Sequence, residues 1–188
     1  MFHELTPGAT YTYAFVPLKE QEGSLEFKTY ASLIRMQLAN IGFKEVPGDS
    51  AQVVVFFFYG IEGHPVTSTY PIFGQTGTSG STTTGTVTTF GNTSMISANT
   101  TSTPVYGVVG SGVRTDTVFA RVLVMQLVDR QASVTTGKVQ KLYEGTVTSA
   151  GSTANLNVVM PAMVAALFKD FPGKSGSTTS IPTALPRN

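Results

Sequence analysis

Residues 51–61 read AQVVVFFFYGI, and from Val53 to Tyr59 every side chain is apolar or aromatic. A strand with one wet face alternates polar and apolar residues; a run without alternation marks a strand covered on both sides, hence a central place in a sheet. The run is about half of what a membrane-spanning helix needs. Upstream, Thr10–Pro17 (TYTYAFVP) alternates aromatic and small residues and reads as another strand. Between the two lies a helical pattern. Ser24 is a good N-cap, Glu26 suits the positive end of a helix, and Phe27, Tyr30/Ala31, Ile34, Leu38 and Ile41 recur at three-to-four spacing before Gly42. Phe43–Val46 is a short extended piece closed by Pro47-Gly48-Asp49. Strand, helix, strand at this spacing predicts a right-handed βαβ unit with parallel strands.

Downstream, Thr115–Asp129 (TDTVFARVLVMQLVD) reads as a long strand, apolar on both faces in its middle. Arg130–Gly137 reads as a loop, and Lys138–Ser149 as a more polar strand nearer an edge. Met160, Met163, Val164, Leu167, Phe168 and Phe171 then form one helical stripe. Pro161 belongs in the first turn of that helix, where no donor is missed, which predicts a start near Asn157. Pro172-Gly173 ends it. The expected fold is α+β: a mixed, mainly antiparallel sheet of four or five strands over residues 10–173, with two helices on one face. The other face needs a cover, from the Thr-rich segment or from a partner. Residues 1–9 and 174–188 read as tails, the latter as disordered.

The segment Thr67–Thr103 interrupts this body. Thr, Ser, Gly and Asn fill 27 of its 37 positions. One reading is a flexible low-complexity loop. The other is a long Thr/Gly-rich β-hairpin arm, because Thr86–Phe90 and Thr93–Ser97 are β-prone runs flanking a two-residue Gly91-Asn92 turn. Val87, Phe90, Met95 and Ile96 would then need a surface to bury them, with the hairpin lying against or extending the main sheet.

Composition removes several functions. Twelve basic and eleven acidic side chains leave a net charge of +1, which excludes a strongly basic nucleic-acid binder. Cysteine is absent, so disulfides, thiol nucleophiles and thiolate metal sites are excluded. Charged residues are 12% of the chain, half the usual share, while 28 Thr and 16 Ser supply polarity instead. From Gly63 to Val113 no Asp, Glu, Lys or Arg occurs. A low-charge, hydroxyl-rich, cysteine-free surface fits an exported bacterial protein. Met1-Phe2-His3-Glu4 opens no apolar signal core, so an export signal or anchor is expected outside these residues.

No constellation of reactive residues stands out. His64 has no second histidine at metal-binding spacing. Gly173-Lys174-Ser175 imitates the end of a phosphate loop, but Phe168 stands where the earlier glycine should be, and the segment follows a helix instead of opening one. No Gly-x-Ser-x-Gly elbow exists. Glu62, Asp116, Asp129 and Glu144 are scattered carboxylates that read as solvated strand-end charges. No cofactor, metal or catalytic residue is assigned. The candidate binding surface is Tyr70, Phe73, Phe90 and Tyr106, aromatics set among hydroxyls and glycines, which could instead tack the segment to the body.

The runs EFKTYASLIRMQLANIGF (Glu26–Phe43), VVFFFYGI, RVLVMQLVD, YEGTVTSAG and MPAMVAALFKDFPGKSG resemble the bacterial domain of unknown function 4136, over about residues 10–61 and 104–173. The resemblance implies a lipoprotein of a Gram-negative envelope, in the periplasm or at the outer membrane, held by a lipidated cysteine that this sequence does not contain. It implies no site. The expected function is a non-catalytic structural or interaction module of the envelope whose partner is another envelope protein or a glycan, with no nucleic acid, and which meets the membrane through a lipid anchor alone. Two alternatives stay open: a glycan- or peptide-binding protein using the charge-free segment, and a hydrolase with an unrecognised site.

Overall fold

The computed structural model describes residues 1–6 and 8–181. The chain forms six strands, β1 (Phe2–His3), β2 (Thr12–Phe15), β3 (Lys44–Glu45), β4 (Val53–Phe90), β5 (Thr93–Asp129) and β6 (Gln140–Gly151), and three α-helices, α1 (Leu25–Asn40), α2 (Arg130–Thr136) and α3 (Leu156–Phe168). The sheet order is β1-β6-β5-β4-β2-β3. The fold is therefore α+β with a mixed sheet, as expected, but with six strands instead of four or five and with a third helix. Two compact units divide it: Met1–His64 with the residues from Thr117 on, and Pro65–Asp116.

In the first unit, β2 runs parallel to both β3 and β4, as the strand–helix–strand spacing predicts. Strands β5 and β6 pair antiparallel from Phe119↔Gly151 to Asp129↔Gln140. The N-terminal residues, expected as a tail, instead supply β1, which pairs Phe2↔Glu144 and His3↔Tyr143, and they bury Leu5. The edge of β6 needs a backbone partner and Leu5 a dry site, and neither requirement leaves a periodic signal in so short a segment. Gly176 N–H donates to the Met1 carbonyl at 2.8 Å, so the start of the supposed C-terminal tail is also bonded. Residues 182–188 of that tail lie outside the described residues.

Helix α1 starts where the sequence places it: the Ser24 hydroxyl accepts from Phe27 N–H at 3.2 Å. Its buried stripe is Phe27, Tyr30, Ala31, Ile34 and Leu38. Arg35 on its other side forms a bidentate pair with Glu45 of β3, at 2.5 and 3.0 Å. Residues 130–136, expected as a loop, form α2, capped by Asp129 at the Ala132 N–H and stopped by Gly137 at φ 65°. Helix α3 is capped by Asn155 and buries Leu156, Val159, Met160, Met163, Val164, Leu167 and Phe168. Pro161 lies in its second turn, not its first, and so forgoes one intrahelical hydrogen bond. The apolar residues buried on both sides of the proline hold the turn in place.

The core lies between the two long helices and one sheet face. Val53, Val55 and Phe57 of β4 and Leu123, Met125 and Leu127 of β5 point into it. Phe27 stacks on Phe57 at 4.6 Å, and Tyr30 meets Tyr59 edge-on at 4.8 Å. The opposite face is less covered than the all-apolar runs predict. Val54, Phe56, Val122 and Val124 are half-buried, and Phe58 is exposed.

Candidate functional site

The second unit is a two-stranded ribbon, Pro65–Asp116, made of the distal part of β4 and the proximal part of β5. It turns at Gly91-Asn92, with Gly91 at φ 59°, as a two-residue hairpin turn requires. The hairpin expected over 86–97 is thus present and far longer. Hydroxyls pair across it: Thr83 with Thr100 at 2.8 Å, Thr89 with Ser94 at 3.0 Å, and Thr67 with Thr115 at 3.2 Å. Threonine suits this role because its branched Cβ fits the pleat while its hydroxyl reaches a cross-strand partner.

Close contacts at the glycines give the register. A Cβ on Gly112 would meet the Tyr70 ring at 2.5 Å, and one on Gly74 would meet Val109 at 2.8 Å. Four residues on β4 therefore match three on β5, which places a one-residue bulge in the Pro71–Phe73 stretch. Proline lacks a ladder donor, so a bulge beside Pro71 is where the sheet accommodates it. The bulge changes which side chains share a face. Gly107 lies against Thr76, on the Gly74–Val109 side. Strand alternation then puts Phe73 and Tyr106 on the opposite side, together with Tyr70 and Gly112.

Three of the four candidate aromatics thus share one face near the base of the ribbon, and Phe90 sits apart at its tip. Their exposures are 51% for Tyr70, 69% for Phe73, 73% for Phe90 and 70% for Tyr106, so all four rings are open. Val87, Met95 and Ile96 are equally open. The hydroxyl pairs and the backbone ladder, not side-chain burial, hold this ribbon together.

The scattered carboxylates stay scattered. Glu62 lies 3.7 Å from His64, Asp116 pairs with Arg114, Asp129 caps α2, and Glu144 bonds Lys141 at 2.9 Å. The Lys141 hydrogen bond holds the Glu144 carboxyl below its ordinary value. Among the described residues no group of three His, Asp or Glu side chains converges as a metal site would require. Gly173-Lys174-Ser175 follows α3 as a turn, with Gly173 at φ 77°. A groove of about 830 Å³ runs between β6 and α3, lined by Thr146, Val147, Val159, Met163, Leu167, Asp170 and Lys174 among others. Its lining mixes hydroxyls and methyls without an acid–base pair.

Sequence reading missed one residue of consequence. Arg121 is 2% exposed on the core side of β5, with no carboxylate partner among the described residues. It donates to the Thr153 carbonyl at 2.5 Å and the Ser149 hydroxyl at 3.4 Å. The available signal was its phase: Arg121 alternates with Leu123, Met125 and Leu127, so it had to point inward.

The family described as a domain of unknown function (DUF4136) matches residues 6–173. No curated protein matches the chain. Among solved structures, one of the lysenin pore aligns at 11% identity over 55% of this chain and 37% of that chain, with a TM-score of 0.16, too low to imply a shared fold.

Proposed function

The chain belongs to the DUF4136 family, which is defined without an assigned activity, and on that premise we propose that it is a non-catalytic interaction module of the bacterial cell envelope. One observation carries this reading: a hydroxyl-rich ribbon, uncharged from Gly63 to Val113, that leaves its large apolar side chains open. Exposed apolar groups without charges to solubilise them mark surfaces that meet something else. The low charge and the absence of cysteine support an exported location, in the periplasm or at the outer membrane, with a lipid anchor outside these residues. Fractionation of cells expressing the natural gene tests location; recovery in the cytosol overturns it. Removal of residues 76–101 tests the role of the ribbon. An unchanged melting midpoint with loss of envelope cross-links supports the reading, and unchanged cross-links defeat it.

A second reading is favoured by the shared face of Tyr70, Phe73 and Tyr106. Tyr106 lies roughly 13 Å along the strand from Phe73, given about 3.3 Å per residue. A row of flat side chains among hydroxyls can stack on a sugar chain or an extended peptide. The chain has no tryptophan, so tyrosine fluorescence can be read, with Tyr70 and Tyr106 of this face supplying two of its seven emitters. Quenching by soluble envelope glycans that Tyr106→Ala abolishes would support this reading over the first.

A further inference from the structure

Among the described residues, the ribbon has two long sheet edges without a partner. Strand β2 reaches β4 only at Val53–Val55, with one further bond from Val16 N–H to the Val55 carbonyl. Strand β6 covers β5 only from Phe119 to Asp129. Beyond those limits, every second residue on each outer edge presents an N–H and a C=O to solvent. Natural proteins block such edges with charges, prolines or bulges. The β5 edge has these guards in Pro104, Arg114 and Asp116. The β4 edge has them only at its base, in Pro65, Pro71 and the bulge beside it. Past the bulge, from Gly74 to Thr88, 15 residues, there is no charge and no proline.

That unguarded stretch is close to self-complementary when read against itself in reverse. About Ser81, antiparallel pairing sets Thr78 opposite Thr84, Thr76 opposite Thr86, and Gly77 opposite Gly85. Hydroxyls meet hydroxyls and glycine meets glycine.

We propose that Gly74–Thr88 of β4 pairs edge to edge with the same residues of a second copy, antiparallel about a two-fold axis at Ser81, to form a four-stranded sheet from two ribbons. A two-fold contact of this kind closes on itself and gives a dimer, not a fibre. The contact spans roughly 50 Å at 3.3 Å per residue. A two-stranded ribbon is marginal by itself, and added strands give its backbone groups partners. Neutrality removes the repulsion that keeps most sheet edges apart. The inference rests on the reading of the ribbon as an interaction element and names its partner.

The absence of cysteine makes the test direct. Ser81→Cys places the only thiol of the chain on the proposed axis, facing its own copy, where a disulfide can close. Ser102→Cys places one on the neighbouring β5 strand, away from the contact. Mild oxidation of the full chain should link the first variant into a covalent dimer and leave the second monomeric. Equal linkage of both, or of neither, overturns the proposal. Sedimentation equilibrium adds a second readout. The parent should be a reversible dimer, and Thr78→Lys/Thr84→Lys, which sets like charges opposite each other, should weaken it about 100-fold or more. Thr101→Lys/Thr103→Lys adds the same charge on β5 and should leave it intact. A parent that stays monomeric while binding lipid vesicles or a foreign peptide, or equal effects of the two lysine pairs, also overturns it. These experiments use purified protein, so a cytosolic location would defeat the envelope reading without touching them.

Discussion

The Arg121 guanidinium donates from Nη2 to the Thr153 carbonyl at 2.5 Å, clamping the loop between β6 and α3 from inside the core. Among the described residues its Nε finds no partner and no carboxylate balances its charge. A buried cation is costly, so this residue is kept for where it holds the chain. Arg121→Ala leaves a carbonyl and a hydroxyl unpaired and a gap beside them. It should cost about 2–4 kcal/mol. Arg121→Met retains the stem without the buried charge and should cost measurably less. Denaturant midpoints of the two variants check the order; equal losses would show that the stem contributes nothing.

Gly145 has the closest surroundings of the glycines. A Cβ there would stand 2.2 Å from the Tyr143 hydroxyl oxygen and 2.8 Å from a Leu167 methyl. Gly145→Ala must therefore push a buried ring or helix α3 outward. The expected loss is about 1–3 kcal/mol, from overpacking. Gly145→Ala combined with Tyr143→Phe should recover part of it. No recovery would place the conflict at Leu167 instead.

Helix α3 presents a seven-residue buried stripe that includes Phe168, which also stacks on Phe171 at 5.2 Å. Phe168→Ala removes both the ring and that contact. It should lower stability by about 3–5 kcal/mol. A denaturation midpoint equal to the parent's would show that the stripe does not carry the fold.

Four tyrosines, Tyr13, Tyr30, Tyr59 and Tyr143, have their ionisation pushed up, chiefly by burial. A raised value in the folded state means that the unfolded chain gives up these protons first. The associated stability is complete below the ordinary tyrosine value, near pH 10, and is lost as pH climbs above it. Stability should therefore fall steeply on the alkaline side. Phenolate absorbance of these four should appear together with loss of tertiary signal. Phenolate formation by all seven tyrosines while the fold persists would contradict their burial.

Amides of the ribbon should divide by edge. Those of Thr84, Thr86, Thr88 and other residues whose N–H faces the hairpin partner should exchange slowly, and those facing outward on β5 quickly. Uniformly fast exchange over 84–97 would mean that the hairpin does not persist in solution.

The sequence by itself determined the local elements and their partners in the body. The three-to-four spacing from Phe27 to Leu38 fixed α1, Ser24 fixed its start, and the stripe from Met160 to Phe168 fixed α3, because helix period and capping are local. The unbroken run in β4 placed that strand inside the sheet. Gly91-Asn92 between Thr-rich runs located a turn, since the φ that glycine adopts there is a property of the residue itself. Long-range pairing decided the rest. Phe2-His3 became a strand only because β6 offers an edge, and Arg121 became a clamp only because Thr153 folds back over it. The grouping of Tyr70 and Phe73 with Tyr106 depends on a one-residue bulge, which moves side chains from one face to the other and leaves no periodicity to read. The length of the ribbon was likewise hidden, because Thr, Ser and Gly repeat without an apolar face, and only backbone pairing between β4 and β5 makes strands of them.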